Sequence, residues 1–314
     1  MSRVKFGDVV KDVKINIDRL NNPYEYYVAG DHMDSEDLTI HRKGCFTTDD
    51  VGPAFIRVFK PGQILYGSRR TYLKKIAVAD FEGVCANTTF VFETKDPHAF
   101  EQRLLPFIML SKDFTTWSIA KSKGSTNPYV LFSDLADFEF ELPPLEEQKV
   151  LVDKLWAAYR LKEAYKKLLV ATDEMVKSQF IEMFGTVENN THNFPIMTIG
   201  EFANCFAGAT PSTSHPEYWE NGRIRWMSSG EVHKGHVEDT DFRITELGYK
   251  SASTRMVPIH SIVIAIAGQG KTRGTVAITE VDLCTNQSLC AIVPDERVNY
   301  LYLYHNLQGR YLEL

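Results

Sequence analysis

The chain has 314 residues, 44% of them hydrophobic and 24% charged, and a net charge of −6. That length favours two globular units with a connector over one domain, and the apolar content suffices for two cores. No apolar leader opens the chain, and the longest clean apolar run, Ile262 to Ala267, is far short of the ~20 residues of a membrane helix. A cytoplasmic protein with no membrane partner is expected.

From the N-terminus, short strands punctuated by Gly, Asn and Pro predict a mostly-sheet α+β unit over residues 1–142. Within it, residues 62–92 carry an apolar run, a glycine and basic turn, a β-branched run, then Cys85-Ala86-Asn87 and another apolar strand. From Arg57 to Lys75 there are six basic residues and no acid. Such a patch offsets the acidic total, because phosphate feels charge locally. Phe100 to Leu110 has helical spacing.

Pro143-Pro144 then opens a segment of another kind, residues 143–185. Leu145 to Phe184 holds no Gly or Pro, Glu146 and Glu147 suit the positive end of a helix dipole, and Gly185 suits a C-terminal cap. Forty residues predict a helix of roughly 60 Å. An apolar stripe through Leu151, Leu155, Ala158, Tyr165, Leu168 or Leu169, Thr172, Met175 or Val176, Phe180 and Met183, interrupted at Lys162 and Gln179, follows the three- and four-residue steps of a coiled-coil seam. These positions are candidates for packing a partner helix, including one from a second copy of the chain.

Residues 186–314 form the third segment. Residues 261–291 repeat the features of 62–92 without gaps at an offset of 199, with Asn286 against Asn87. Tyr300 to Gln308 repeats the helix near the end of the unit. One fold occurring twice is the expectation. The five cysteines (Cys45, Cys85, Cys205, Cys284 and Cys290) include no C-x-x-C pair and several lie in apolar strand-like runs, so structural thiols in a reducing compartment are expected.

The candidate DNA-binding residues lie in polar, basic loops. They are Arg69, Arg70, Tyr72 and Lys74 after the Gly67 turn, Lys121, Lys123 and Ser125 further on, and Gln269, Lys271, Thr272 and Arg273 in the second copy. Arg suits phosphate and guanine contacts, and Gln can pair with adenine. The same residues also fit ordinary solvated turns. Asn87 and Asn286 fit a local turn at least as well as base reading.

The run Leu142-Pro143-Pro144-Leu145-Glu146-Glu147-Gln148 resembles the start of the central helix of type I restriction-modification specificity subunits. Ser228-Ser229-Gly230-Glu231-Val232, Gly268-Gln269-Gly270-Lys271-Thr272-Arg273-Gly274 and Asn286-Gln287-Ser288 resemble phrases of that family's target-recognition domains. The resemblance implies a non-catalytic DNA-reading subunit for a bipartite double-stranded target, docking methyltransferase and restriction subunits for adenine methylation and restriction. It implies no cofactor on this chain, with S-adenosylmethionine, ATP and Mg on the partners. The family closes with a second long helix, so a chain ending at Leu314 is expected to be incomplete in its second domain.

Two rival readings exist. Ala265 to Thr272 fits a relaxed phosphate-loop pattern, which would make Lys271-Thr272 the centre of a nucleotide hydrolase. The β-branched run Thr275 to Thr279 that follows argues against it, since such a loop must open a helix. A coiled-coil interaction scaffold is the other. Asn127-Pro128-Tyr129 lacks a proline of the adenine-methyltransferase motif, and no glycine-rich loop for a methyl donor accompanies it. His233 and His236, beside Glu231, have no evident third ligand, so no metal is expected there. No catalytic residues are expected.

Overall fold

A computed structural model describes residues 2–18, 21–186, 190, 192–268 and 272–310. The chain divides into two compact units, Met1–Tyr165 and Lys166–Leu314, and the division falls inside one continuous helix, Leu145–Phe184. No described helix is long and apolar enough to cross a membrane.

The first unit is built on an antiparallel sheet in the order Val10–Asp12, Thr89–Thr94, Ile64–Gly67, Ile76–Val78. Ile64–Gly67, Ile76–Val78 and Thr89–Thr94 carry apolar residues on both faces, and the two-residue period of a strand sorts their side chains. Ile64, Tyr66, Ile76 and Phe92 enter one cluster, rich in aromatic rings, while Leu65, Ala77 and Val91 enter another. In the aromatic cluster Phe6 meets Phe92 edge-on at 5.5 Å and Phe114 meets Phe138 at 5.2 Å. The other face is covered by a second sheet, ordered Gly44–Cys45, Tyr26–Val28, Gly83–Ala86, Phe55–Phe59, with one parallel joint between Tyr27 and Val84. Ser2–Lys5 pairs with Glu139–Leu142 and ties the start of the unit to the residues just before the long helix.

The second unit repeats this plan. Its main sheet runs Ala203–Ala207, Leu289–Pro294, Ile262–Ala265, Val276–Thr279, His236–Val237, and its smaller sheet again has one parallel joint, Trp226 with Cys284. Ile262, Ile264 and Ile278 enter one core, and Val263, Ala265 and Ala277 the other. The repeat is real, but its alignment is not gapless. Ile64 pairs with Val78 and Phe92, and Ile262 pairs with Ile278 and Ile292, so the offset is 198 before the hairpin loop and 200 after it. The second loop is two residues longer. Strand pairing therefore sets Cys284 against Val84 rather than Cys85. The helix near the end of each copy is present as Leu105–Leu110, preceded by a 3-10 turn at Gln102–Leu104, and as Tyr300–Gly309.

The long helix buries a face one residue away from the stripe read in the sequence. Gln148, Val152 and Tyr159 are buried and Leu155 and Trp156 half-buried, all against the first unit, whereas Leu151, Ala158 and Tyr165 are exposed. One residue is about 100° of helix, so the two faces are distinct. Leu155 is thus committed within the chain rather than left for a partner helix. Leu169, Met175, Val176 and Met183 are exposed. Near its end, Phe180 and Phe184 pack on Tyr302 of the second unit, with ring centroids 5.5 and 5.1 Å apart.

Gln148, the last residue of the LPPLEEQ run, is fully buried. Its side-chain nitrogen donates to the Ala99 and Pro143 carbonyls (2.9 and 2.7 Å), and its oxygen accepts from the Glu101 amide (2.9 Å). A buried amide with all three partners in place anchors the helix start on the unit before it. All five cysteines are free; Cys85 and Cys284 are buried and Cys205 is exposed. The structural-thiol reading therefore fits the two buried residues and not Cys205.

Candidate nucleic-acid interface

In the first unit the hairpin strands Ile64–Gly67 and Ile76–Val78 are joined by residues 68–75. A single 3-10 turn, Thr71–Leu73, sits at its crest, with Arg70 (φ 50°) and Lys74 (φ 48°) on either side in the left-handed region. Each such non-glycine residue costs on the order of 1–3 kcal/mol and persists only where neighbours over-determine it. The neighbours are residues 121–130. The Arg70 amide donates to the Pro128 carbonyl (2.6 Å), Val130 to Ser68 (3.0 Å), and Lys123 and Tyr129 exchange two backbone bonds (2.7 and 2.9 Å). The hydroxyls of the buried Thr71 and of Ser122 meet at 3.1 Å.

Two segments separate in sequence are therefore laced into one surface. Arg69, Arg70, Tyr72, Lys121, Lys123 and Ser125 are all exposed on it. Tyr129, not singled out as a contact residue in the sequence, joins them, 42% exposed. The run Asn127-Pro128-Tyr129, which looked like a broken methyltransferase motif, supplies the lacing groups.

Not every predicted cation is available to a ligand. Lys74 is half-buried and bonded to Glu36, so it braces the loop. Lys123 pairs with Asp134 at 2.9 Å. That ammonium, aided by the Leu131 amide, holds the Asp134 carboxyl below its usual range. Lys121 lies over the Trp117 ring, 4.8 Å from its centroid. Among the described residues Arg69 and Arg70 make no ion pair, which leaves their guanidinium groups as the readiest anion contacts.

The second unit carries the equivalent hairpin, Ile262–Ala265 with Val276–Thr279. Gln269 and Lys271 lie outside the described residues. Thr272 is half-buried, 3.3 Å from His233 Nε2, and Arg273 is exposed. Gly274 (φ 83°) closes the loop by donating to the Ala265 carbonyl at 2.8 Å. From Thr272 onward the chain runs through a turn straight into the strand Val276–Thr279, so among the described residues no helix N-terminus follows to face phosphate groups, and the hydrolase reading has no support there. Alongside it, Gly208 lies against the backbone of Thr285, where a Cβ would stand 1.9 Å from the carbonyl oxygen, and Thr210 donates to Gln287 at 2.5 Å.

The family-like phrases act mainly as scaffold. Glu231 of the Ser-Ser-Gly-Glu-Val run is buried and accepts from the Ser228 amide (2.8 Å), Lys234 (2.8 Å) and the Asp241 amide (2.9 Å). Asn286 accepts from the Ser288 amide at 3.1 Å, which is the local turn, one of the two readings its sequence left open. His236 bonds Glu280 at 2.7 Å and His233 meets Thr272, so these two histidines serve separate partners.

Comparison with known proteins agrees with this layout. The family model for the type I restriction modification DNA specificity domain matches residues 18–169 and 192–313. The specificity subunit of the type I restriction enzyme EcoR124I/EcoR124II of Escherichia coli is 32% identical over 115 residues, 36% of this chain and 28% of the relative. That of MjaIX from Methanocaldococcus jannaschii is 34% identical over 113 residues, 35% of this chain and 24% of the relative. The matches thus span about a quarter of those relatives' lengths. Among solved structures, the type I restriction-modification S subunit from M. genitalium superposes over 99% of this chain and 77% of its own, with TM-score 0.56 and 14% identity. A chain from a study of complex assembly and conformational transition of the type I R-M system gives TM-score 0.54 at 20% identity, over 98% of this chain and 79% of its own. These two likenesses show a shared fold. With both copies of the repeat inside the matched residues, the chain belongs to the type I restriction modification DNA specificity domain family.

Proposed function

We propose that the chain is a non-catalytic DNA-reading subunit of a type I restriction-modification complex, each unit engaging one part of a divided target through its hairpin loop. The observation that carries this reading is the repetition: one family domain occurs twice, and each copy presents the corresponding loop between the corresponding pair of strands. In the first unit Arg69 and Arg70 supply charge for phosphate or guanine, with Tyr72, Lys121, Lys123, Ser125 and Tyr129 around them. In the second, Gln269, Lys271, Thr272 and Arg273 are the corresponding candidates.

The apolar residues left exposed on the long helix, Tyr165, Leu169, Met175 and Met183 among them, fit packing against methyltransferase or restriction subunits, or against another helix. S-adenosylmethionine, ATP and Mg are assigned to those partners, and the complex to the cytoplasm.

Fluorescence anisotropy on duplex DNA across a salt series tests the binding claim. Log affinity should fall linearly with log salt, and Arg69→Ala with Arg70→Ala should flatten that slope by about one for each phosphate no longer neutralised. Salt-independent binding, or an unchanged slope in the double variant, would favour a protein-interaction scaffold.

A further inference from the structure

Three side chains of metal-ligand type, Asp37, His41 and Glu163, converge in the first unit. Asp37 and His41 come from the loop that follows Tyr26–Val28, and Glu163 from the long helix; one ligand atom from each lies within 4.8 Å of the other two. His41 Nε2 and Asp37 Oδ2 are 3.2 Å apart. A zinc-class ion about 2.0–2.2 Å from each ligand sets tetrahedral neighbours about 3.3–3.5 Å from one another, so this pair already spans one edge of such a site.

The ligands are oriented from behind. Asp37 Oδ1 accepts from the Tyr159 hydroxyl (2.6 Å) and the Thr39 amide (3.0 Å), which turns Oδ2 toward His41. Outer-shell bonds of this kind fix the geometry and basicity of ligating carboxylates. The Asp37 and Glu163 side chains are only 9% and 15% exposed. Two carboxylates held this close, and mostly out of water, favour a cation between them. Lys162, 3.6 Å from Glu163, supplies one positive charge on the helix side. One imidazole and two carboxylates suit a transition ion better than calcium or magnesium, which take oxygen ligands alone.

We propose that Asp37, His41 and Glu163 bind one divalent transition-metal ion of the zinc class, with water as a fourth ligand. The ion cross-links residues more than a hundred positions apart, fastening the 34–41 loop to the long helix. That loop also supports the DNA-facing turn: Glu36 bonds Lys74 through its side chain, and its amide donates to the Lys74 carbonyl at 3.2 Å. Metal at this point stiffens the footing of Arg69, Arg70 and Tyr72.

The test uses the full chain, stripped with a chelator and titrated with zinc chloride by calorimetry, with cobalt(II) as a spectroscopic probe. The expected result is one ion per chain, the intense visible bands of four-coordinate cobalt, and a zinc-dependent rise in melting temperature. His41→Ala and the near-isosteric Glu163→Gln should each weaken binding at least about tenfold and remove that rise. His233→Ala should bind as the parent does. Absence of stoichiometric binding, binding undiminished in both His41→Ala and Glu163→Gln, or binding lost with His233→Ala would each overturn the proposal. Since zinc binding is read without DNA, it can fail while DNA reading stands, and the reverse.

Discussion

Replacing Gln148 by Leu removes three hydrogen bonds at one buried point, those to Ala99, Glu101 and Pro143. Neutral bonds contribute about 1 kcal/mol each, so their loss amounts to about 3 kcal/mol. Extra apolar burial by Leu offsets little of this, because backbone groups are left facing a hydrocarbon, and helix propensity barely changes between the two residues. Gln148→Glu should be worse than Leu, since a carboxylate oxygen would then face two carbonyl oxygens where an amide nitrogen now donates. Hydrogen exchange at the Glu101 amide and in the first turn of the long helix reads the local effect, and urea unfolding reads the whole. The reasoning is refuted if Gln148→Leu costs less than about 1 kcal/mol, or if Glu is tolerated as well as Leu.

The other predictions concern the same unit. Tyr159→Phe removes the hydroxyl that donates to Asp37 at 2.6 Å and accepts from the buried Leu38 amide at 2.9 Å. It should cost about 2–3 kcal/mol, seen as faster exchange at Leu38 and altered Trp156 emission, because that indole packs edge-on to Tyr159 at 5.4 Å. Alkali should loosen the core. Burial pushes the Cys85 thiol from 9.0 up to about 12 and the Tyr66 hydroxyl from 10.0 up to about 12. Groups whose pKa is raised on folding stabilise fully below their unfolded values, so stability should fall as pH rises from about 9 toward 12. Cys85→Ala should shrink that fall between pH about 9 and 10, which thermal melts across the range would record.

The two-unit plan and the long helix were legible because they rest on strong periodic signals. Forty residues without Gly or Pro leave little alternative to a helix, and the repeated run of apolar strand, glycine and basic turn, and β-branched strand marks the hairpin in both copies. What was not legible depended on the third dimension. The period of the helix stripe was visible, but its phase is set by Val152 and Tyr159 docking on the first core, which no local pattern states. The gapless offset of 199 averaged over a two-residue difference in loop length, an error that only strand pairing exposes.

In the first unit, residue type picked out positions that are exposed, Arg69, Arg70, Tyr72, Lys121, Lys123 and Ser125 among them, yet could not say which cations are already spoken for. Lys74 and Lys123 have carboxylate partners 38 and 11 positions away in sequence. Tyr129 escaped notice because its position depends on backbone bonds to Lys123 across a turn.

The most direct test of the account is to express this chain with a cognate methyltransferase subunit and map modified adenines across the host genome. A sequence motif in two parts separated by a fixed unread gap is predicted, and Arg69→Ala with Arg70→Ala should relax or abolish one part while leaving the other's bases unchanged. A continuous motif, or a motif indifferent to both arginines and to Arg273→Ala, would contradict it.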